Sequence, residues 1–397
     1  MNPRRAVLFV AWAALLAKLV CAATTLGTND VDAFFNFGRF ISVHGLLAQY
    51  RATAEFNHTP LVGWFCASIY SLGQGFAFNL LLRLPGIVAD FLVVGLLWKW
   101  REHHGQPPVW ALVLFALSPV NFMISGFHGN VDSVLAWLLL LAAWQGVRGR
   151  PIACGLVFGL ACQVKVIPLL LAPALFFFWL KRGHARAFFM TASATILAGW
   201  AVPLVAMPEL FLRQVLGYNS NWGSWGITYA RHATGAAIFA PVGFQNLTSA
   251  QLATMSALKL IIVSSALWLG WKRRTHTATE IPGTLALIWA VFFVFAPGVG
   301  AQYLVWLAPF LLLHSARWFA AVTAANTVFL FAFYHTICGG LPWWHGFSTA
   351  ELLPRWVAWT SLPWLALTGF LAWSWAQSSS SPSASSSASV DSNEGSS

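Results

Sequence analysis

"AVLFVAWAALLAKLVCAATTLGTNDVDAFFNF", residues 6–37, is a long apolar run followed at once by two carboxylates. At about 1.5 Å per residue, the stretch from 6 to 26 is long enough to cross ~30 Å of hydrocarbon. A cleaved leader would leave the later segments without a consistent starting side, so the run reads as a retained first span. The rest of the chain repeats its composition. AVILMFWYC residues make up 58% and charged residues 8%, and the mean hydropathy is +0.68. A soluble domain carries about a quarter charged residues. The apolar runs are continuous, whereas β-barrel strands read as short alternating segments. The fold class is therefore all-α, a polytopic membrane protein.

With the N-terminus taken as cytoplasmic, twelve spans are predicted, near 6–26, 79–100, 108–126, 132–147, 152–164, 167–181, 186–206, 256–272, 283–297, 303–315, 317–335 and 356–376. The even number returns the C-terminus to the cytoplasm. The pair 152–164 and 167–181 is short for two vertical spans and reads as a broken hairpin, interrupted by Pro168 and Pro173. Residues 60–76 read as a helix lying along the outer interface. Residues 1–376 form one membrane domain. The Ser-rich stretch 377–397 has no apolar run and reads as a disordered cytoplasmic tail.

The formal charge of +11 raises the question of nucleic acid, and the placement of the charges answers it. Thirteen of the 22 Lys and Arg fall in short turns on one side: Arg4, Arg5, Lys99, Arg101, Arg148, Arg150, Lys181, Arg182, Arg186, Lys272, Arg273, Arg274 and Arg317. That is positive-inside topology, not a stripe for nucleic acid. The five cysteines are scattered through apolar sequence with no metal spacing, and read as small buried hydrophobes. Segments 27–78, 207–255 and 336–355 are long, aromatic and polar, and fall on the other side. Interfacial belts account for single tryptophans. They do not account for Asn, His and Arg interleaved with tryptophan on one side only.

Ionisable groups at membrane depth are costly, which makes each a candidate for function. The candidates are Asp30 and Asp32 after the first span, His58 in "FNHTPL", Arg83 and Asp90 in "RLPGIVAD", His128 and Asp132 in "GFHGNVDS", Lys165 in "CQVKVIPL", Arg231 and His232, and Gln302 and Tyr303 in "GVGAQYLVW". Most fall at the outer rim. Structural roles compete with this. Arg83 and Asp90 share a helix face and fit a salt bridge. Asp132 fits a helix N-cap. His58 before Thr-Pro fits a turn, and Asp30 and Asp32 fit solvated interface carboxylates. Lys165 beside a proline break is costly unless an anion meets it, and a phosphate or headgroup would. A carboxylate in reach of a hydroxyl supplies a general base. Cations and fixed dipoles stabilise a leaving phosphate. Aromatic faces suit sugar rings, and grooves between helices suit a lipid tail. Together these needs describe sugar transfer from a polyprenyl-phosphate donor.

The succession "TNDVDAFFNFGRFISVHGLLAQY", "FNHTPLVGW", "RLPGIVAD", "SPVNFMISGFHGNVDS", "KVIPLLLAPALF" and "FAPGVGAQYLVWLAPF" resembles the GT-C superfamily of integral membrane glycosyltransferases over residues 5–376. It is most similar to the bacterial polyprenol-phosphate-sugar-dependent, mannosyltransferase-like members, near the GPI mannosyltransferases and ALG glucosyltransferases. The resemblance implies a GT-C fold with a long extracytoplasmic first loop and an inverting, metal-independent transfer of a mannose-like hexose. The donor is a polyprenyl-phosphate sugar and the acceptor a lipid or glycan among membrane lipids, with no nucleic acid involved. It implies Asp30 as base, with Asp32 in reserve or raising its neighbour's pKa. His58 matches an "HPPL"-like turn in which Thr59 stands where proline is common. His128 and Asp132 match a second outer motif facing the same cavity. Lys165, Arg231, His232, Gln302 and Tyr303 are contacts to phosphate or sugar. No cofactor is expected, and a divalent metal held by Asp30 and Asp132 is the second choice. The setting implied is the inner (cytoplasmic) membrane, multi-pass, with the site facing the periplasm. Two other classes compete: a transporter or flippase of an amphiphilic substrate, and a non-catalytic subunit of a membrane glycosylation complex.

Overall fold

The computed structural model describes residues 2–217, 222–223, 225–228, 247–349 and 353–380. In order, the elements are α1 (Pro3–Thr24), β1 (Gly27–Thr28), α2 (Asn29–His44), α3 (Leu46–Ala52), α4 (Pro60–Leu72), α5 (Phe76–His104) and α6 (Val109–Ala116). Next, α7 (Pro119–Asn121) continues as a π-helical turn, Phe122–His128, followed by α8 (Asp132–Val147) and α9 (Pro151–Val164). A tight turn, Ile167–Leu171, leads into α10 (Ala172–Lys181); then come α11 (Ala185–Ala206) and α12 (Pro208–Phe211), which continues as Leu212–Leu216. After these come α13 (Ser249–Lys272), α14 (Ile281–Phe295), a turn Ala301–Val305 into α15 (Ala308–His314), α16 (Ala316–Ile337), β2 (His345–Gly346) and α17 (Leu353–Ser380).

All twelve predicted segments are helical, but they are not equivalent. Among the described residues, seven helical stretches are long and apolar enough to cross a membrane: Pro3–Thr24, Phe76–His104, Val109–His128, Ala185–Ala206, Ser249–Lys272, Ala278–Phe295 and Ala316–Ile337. The segments predicted at 132–147, 152–164, 167–181 and 303–315 are shorter apolar helices. α8 has 16 residues, about 24 Å at 1.5 Å per residue, less than the ~30 Å of a bilayer core. Its buried face includes Leu135, Leu139, Ala142 and Ala143, so it packs as core. The broken hairpin forms as expected. α9 stops at Val164, Lys165 is extended, and Pro168 and Pro173 each sit at the start of the next helical turn, where a missing N–H costs nothing. The segment at 60–76 is the 13-residue α4. α17 runs to Ser380, past the boundary expected at 377, and residues 381–397 lie outside the described residues.

Charges register the helices along the bundle. Arg4 faces Glu102 at 3.4 Å, Lys18 faces Asp90 at 2.5 Å, and Arg83 Nη1 donates to the Thr25 carbonyl and hydroxyl at 3.3 and 3.0 Å. α1 and α5 therefore run antiparallel, and the chain after Thr24 emerges at the end opposite Arg4. The expected Arg83–Asp90 pair does not form. Asp90 takes Lys18 and the Ser125 hydroxyl (2.6 Å), and Arg83 donates to the last carbonyls of α1. A cation at a helix C-terminus satisfies acceptors that have no intrahelical partner. Edge contacts between His103 and Trp144 and a bond from Arg182 to the His276 carbonyl (2.9 Å) gather the basic turns at the Arg4 end.

Helix α9 meets α11 through Gly155 and Gly159, one helical turn apart. A methyl at Gly155 would lie 2.5 Å from the Phe188 carbonyl oxygen, and one at Gly159 would lie 2.6 Å from Thr195 Cβ. Small residues at this spacing let helix backbones approach closely in a membrane. Gly155→Val is expected to lower stability by about 1–3 kcal/mol, read as a fall in Tm of the detergent-solubilised protein; an unchanged Tm would mean that the α9–α11 contact relaxes freely.

Candidate active site

The site forms where the first loop meets the turn before α8. Thr28 caps α2: its hydroxyl oxygen accepts from the Asp30 N–H (3.3 Å) and donates to the His128 carbonyl (2.9 Å). Asp30 thus sits in the first turn of a helix, where the dipole favours an anion. Gly27 and Gly129 both have φ +87° and press against Arg83 and Val31, a backbone conformation that side-chain-bearing residues rarely adopt.

Three side chains organise the Asp30 carboxylate. His128 Nε2 lies 3.0 Å from Oδ2, and Asn130 Nδ2 donates to the same oxygen at 2.9 Å. Asn130 Oδ1 accepts from the Val131 N–H at 2.7 Å, which fixes the amide with its NH2 toward Asp30. A carboxylate only accepts, so Nε2 is the donor in this contact. Nδ1 lies 2.9 Å from the Tyr334 hydroxyl. Carboxylate, imidazole and phenol form one chain running from the cavity wall into the core, where Tyr334 is 0% exposed. Among the described residues, no hydrogen bond falls on Asp30 Oδ1. Burial pushes the Asp30 carboxyl up, but the His128 charge and hydrogen bond, with Asn130 and Lys165, outweigh it and hold the group down at about 2. Asp32, expected to raise its neighbour, turns away and pairs with His345 at 2.8 Å, so the carboxylates do not act as a pair.

The second cluster corrects the reading of Lys165. It is not waiting for an anion, because its ammonium donates to both oxygens of Asp132, at 2.8 and 3.0 Å. Asp132 is fully buried and also accepts from Trp306 Nε1 at 2.7 Å. Its carboxylate therefore holds side chains and does not cap α8, whose N-terminus has no side-chain cap. Lys165 Nζ also lies 4.8 Å from the Tyr303 ring and 5.5 Å from the Trp306 ring, within cation–π range.

A cavity of about 600 Å³ opens between these clusters. Asp30, Glu55, Asn57, His58, Asn130, Lys165, Lys259, Gln302 and Tyr303 line its polar part; its apolar part includes Leu169, Leu170, Pro173, Ile262, Val263 and Phe292. His58 packs on Phe34 (5.0 Å), Phe56 (5.7 Å) and Phe37 (6.1 Å). Burial, with the nearby Lys165 charge, pushes it down to about 3, which leaves the ring neutral. Of the residues singled out from sequence, Asp30, His58, Lys165, Gln302 and Tyr303 line the cavity, and His128 and Asp132 stand directly behind it. Asp32 is not in its wall. Arg231 and His232 lie outside the described residues. Among the described residues, no three of His, Cys, Asp and Glu converge as metal ligands.

Sequence reasoning missed Asn130, Tyr334, Trp306 and Lys259. Asn130 lay inside the quoted "GFHGNVDS", and Lys259 is a charge inside the apolar segment predicted at 256–272. Those are signals that an inventory of polar groups at membrane depth should hold. Trp306 closes the quoted "GVGAQYLVW", but nothing local pairs it with Asp132, 174 residues away, and nothing local marks Tyr334, whose partner is 206 residues away.

The family model for glycosyltransferase family 87 matches residues 56–297, more than half of the chain. The chain is 24% identical over 273 residues to GPI mannosyltransferase 1 of Kluyveromyces lactis, covering 64% of this chain and 65% of that protein. It is 26% identical over 327 residues to the GPI alpha-1,4-mannosyltransferase I catalytic subunit of Danio rerio, covering 77% and 79%. The chain spans just under two thirds of the Kluyveromyces lactis protein. The family match includes His58, His128, Asn130, Asp132 and Lys165, while Asp30 and Tyr334 lie on either side of it.

Proposed function

The chain belongs to glycosyltransferase family 87, and we propose that it transfers a hexose, mannose, from a polyprenyl-phosphate-linked donor to a lipid-linked glycan, with inversion and with Asp30 as general base. The observation that carries this reading is the Asp30 carboxylate in the cavity wall, anchored through Oδ2 and unbonded among the described residues at Oδ1. The names of both relatives support mannose and a lipid-linked acceptor.

In this mechanism the acceptor hydroxyl gives its proton to Asp30 Oδ1 as its oxygen bonds to the anomeric carbon. The bond from that carbon to the phosphate oxygen breaks, and its electron pair leaves with the polyprenyl phosphate. Attack opposite the leaving group inverts the anomeric centre. A carboxylate held near 2 is a weak base. It takes the proton late, when the sugar already has oxocarbenium character and the acceptor hydroxyl has become acidic. Neutral His58 and the aromatic wall offer the sugar hydrogen bonding and apolar contact without a competing charge. The cavity lies at the end of the bundle opposite the basic turns, and positive-inside topology then directs it to the periplasmic side of the inner membrane.

The test is donor choice. The purified full chain is expected to make product from polyprenyl-phosphate-linked mannose and none from nucleotide-linked mannose; product from the nucleotide sugar alone would contradict the proposal. A second expectation concerns pH. Asp30 has a depressed pKa, so its basic form is lost only as pH falls through about 2. Removing the imidazole in His128→Gln takes away the largest influences opposing burial. The acid limb of the kcat/KM profile should therefore move to higher pH than in the wild type. A limb that stays in place would show that His128 does not hold Asp30 ionised.

A further inference from the structure

Two lysines line the cavity, and their surroundings differ. Lys165 has both oxygens of a fully buried carboxylate at 2.8 and 3.0 Å, two aromatic rings beside it, and only 14% of its side chain exposed. Its charge is neutralised within the protein. Lys259 is an exposed residue on α13. It shares one face of that helix with Met255, Ile262, Val263 and Ala266, all of which line the cavity; their spacings of three and four residues put them on a single stripe. The adjacent positions Leu260 (68% exposed) and Ile261 (43%) present apolar surface outward, as hydrocarbon-facing residues of a membrane helix do.

The flank of the cavity beside Lys259 is apolar and open. Val263, Leu169 and Leu216 line the cavity and yet are 48%, 36% and 44% exposed. Carried on three separate elements, they form a rim that leads from the hydrocarbon side into the site. Helical side chains lean toward the N-terminus of their helix, and a long lysine stem lies along apolar surface with its ammonium at the more polar end. For α13 that direction is away from the basic turn at Lys272 and toward the Asp30 end.

We propose that a lipid monophosphate enters sideways across the Leu169–Leu216–Val263 rim and that Lys259, not Lys165, receives its phosphate. This rests on the transfer reading above, in which that phosphate belongs to the donor and later to the leaving carrier. Lys165 then has a different task, holding Asp132 and the Tyr303–Trp306 stack in place as the back wall. An exposed cation bordered by an apolar opening matches a ligand with one anionic head and a long apolar tail. It matches neither a nucleotide nor a free sugar.

The test is binding to the full chain in lipid nanodiscs, with polyprenyl phosphate, polyprenol of equal length and inorganic phosphate as probes. The wild type is expected to bind the phosphate form about tenfold to a hundredfold more tightly than the alcohol, the range of a charge-assisted hydrogen bond. Lys259→Met should lose that preference while still binding polyprenol, and Lys259→Arg should keep it. The double variant Asp132→Asn/Lys165→Met, which removes both charges of the pair together, should also keep it. Retained preference in Lys259→Met, lost preference in the double variant alone, or inorganic phosphate competing as strongly as the lipid would each overturn the assignment. Normal discrimination in a protein that makes no product would overturn the transfer reading and leave Lys259 as the phosphate site.

Discussion

Asp30→Asn is expected to fold, to retain the cavity and to transfer sugar about 10²- to 10⁴-fold more slowly, the usual contribution of a positioned general base. Asparagine preserves the volume and keeps an oxygen to accept from His128 or Asn130, so the loop geometry survives and the loss falls on kcat. Asp32→Asn serves as the internal contrast. Asp32 is half exposed and bonds to His345 outside the cavity, and its substitution should leave the rate near that of the wild type. Rate measurements on both variants, with Tm measured alongside, separate a base from a carboxylate that merely fastens the first loop. Equal losses in the two would return the pair to the status of interface carboxylates.

The largest expected effect on stability is at Asp132. Its side chain is 0% exposed and carries the Lys165 ammonium and the Trp306 indole. Asp132→Asn leaves a buried lysine without its counter-charge, and removing one partner of a buried pair costs about 3–5 kcal/mol. The cost should fall toward the lower end, because Lys165 keeps some exposure to the cavity. Removing both charges in Asp132→Asn/Lys165→Met should recover much of the loss, since an apolar replacement of a whole pair is often near neutral. Thermal unfolding of the two variants in detergent reads this directly. If the double variant were no more stable than the single one, the two residues would not be coupled.

The helices were legible because a bilayer imposes a simple length and polarity rule. The limits of α8, of α9 and of the stretch Ile167–Lys181, made of the tight turn and α10, fall within a residue of the predicted segments, with Gly129, Arg150 and the Lys165–Pro168 stretch as punctuation. That those three are too short to span alone follows from packing: with neighbours on most sides, they no longer need to match the thickness of the lipid. The identity of the polar residues was legible as well, but their pairing was not. Lys18, Arg83 and Asp90 lie on two helices, and periodicity on α5 alone suggested the wrong partner for Asp90. Lys165 looked uncompensated because Asp132 is 33 residues away. Local sequence marks the cost of a buried charge, while only the assembled bundle shows what meets it.

The His128–Tyr334 contact joins the turn before α8 to the last turn of α16, and β1 and β2 pair Gly27 with His345 beside it. The first and last loops on this end of the bundle therefore share one anchor, with Asp30 at its edge. This explains how a short loop helix can hold a carboxylate steady at the mouth of a cavity that must admit two substrates.

The most direct measurement places wild type and Asp30→Asn in parallel proteoliposomes with labelled polyprenyl-phosphate mannose and a lipid-linked glycan acceptor, and follows both product and the label crossing the bilayer. Asp30 as the base requires product of inverted anomeric configuration from the wild type and at least about 10²-fold less from Asp30→Asn. Equal product from both proteins, or label that crosses the membrane with no product from either, would contradict it.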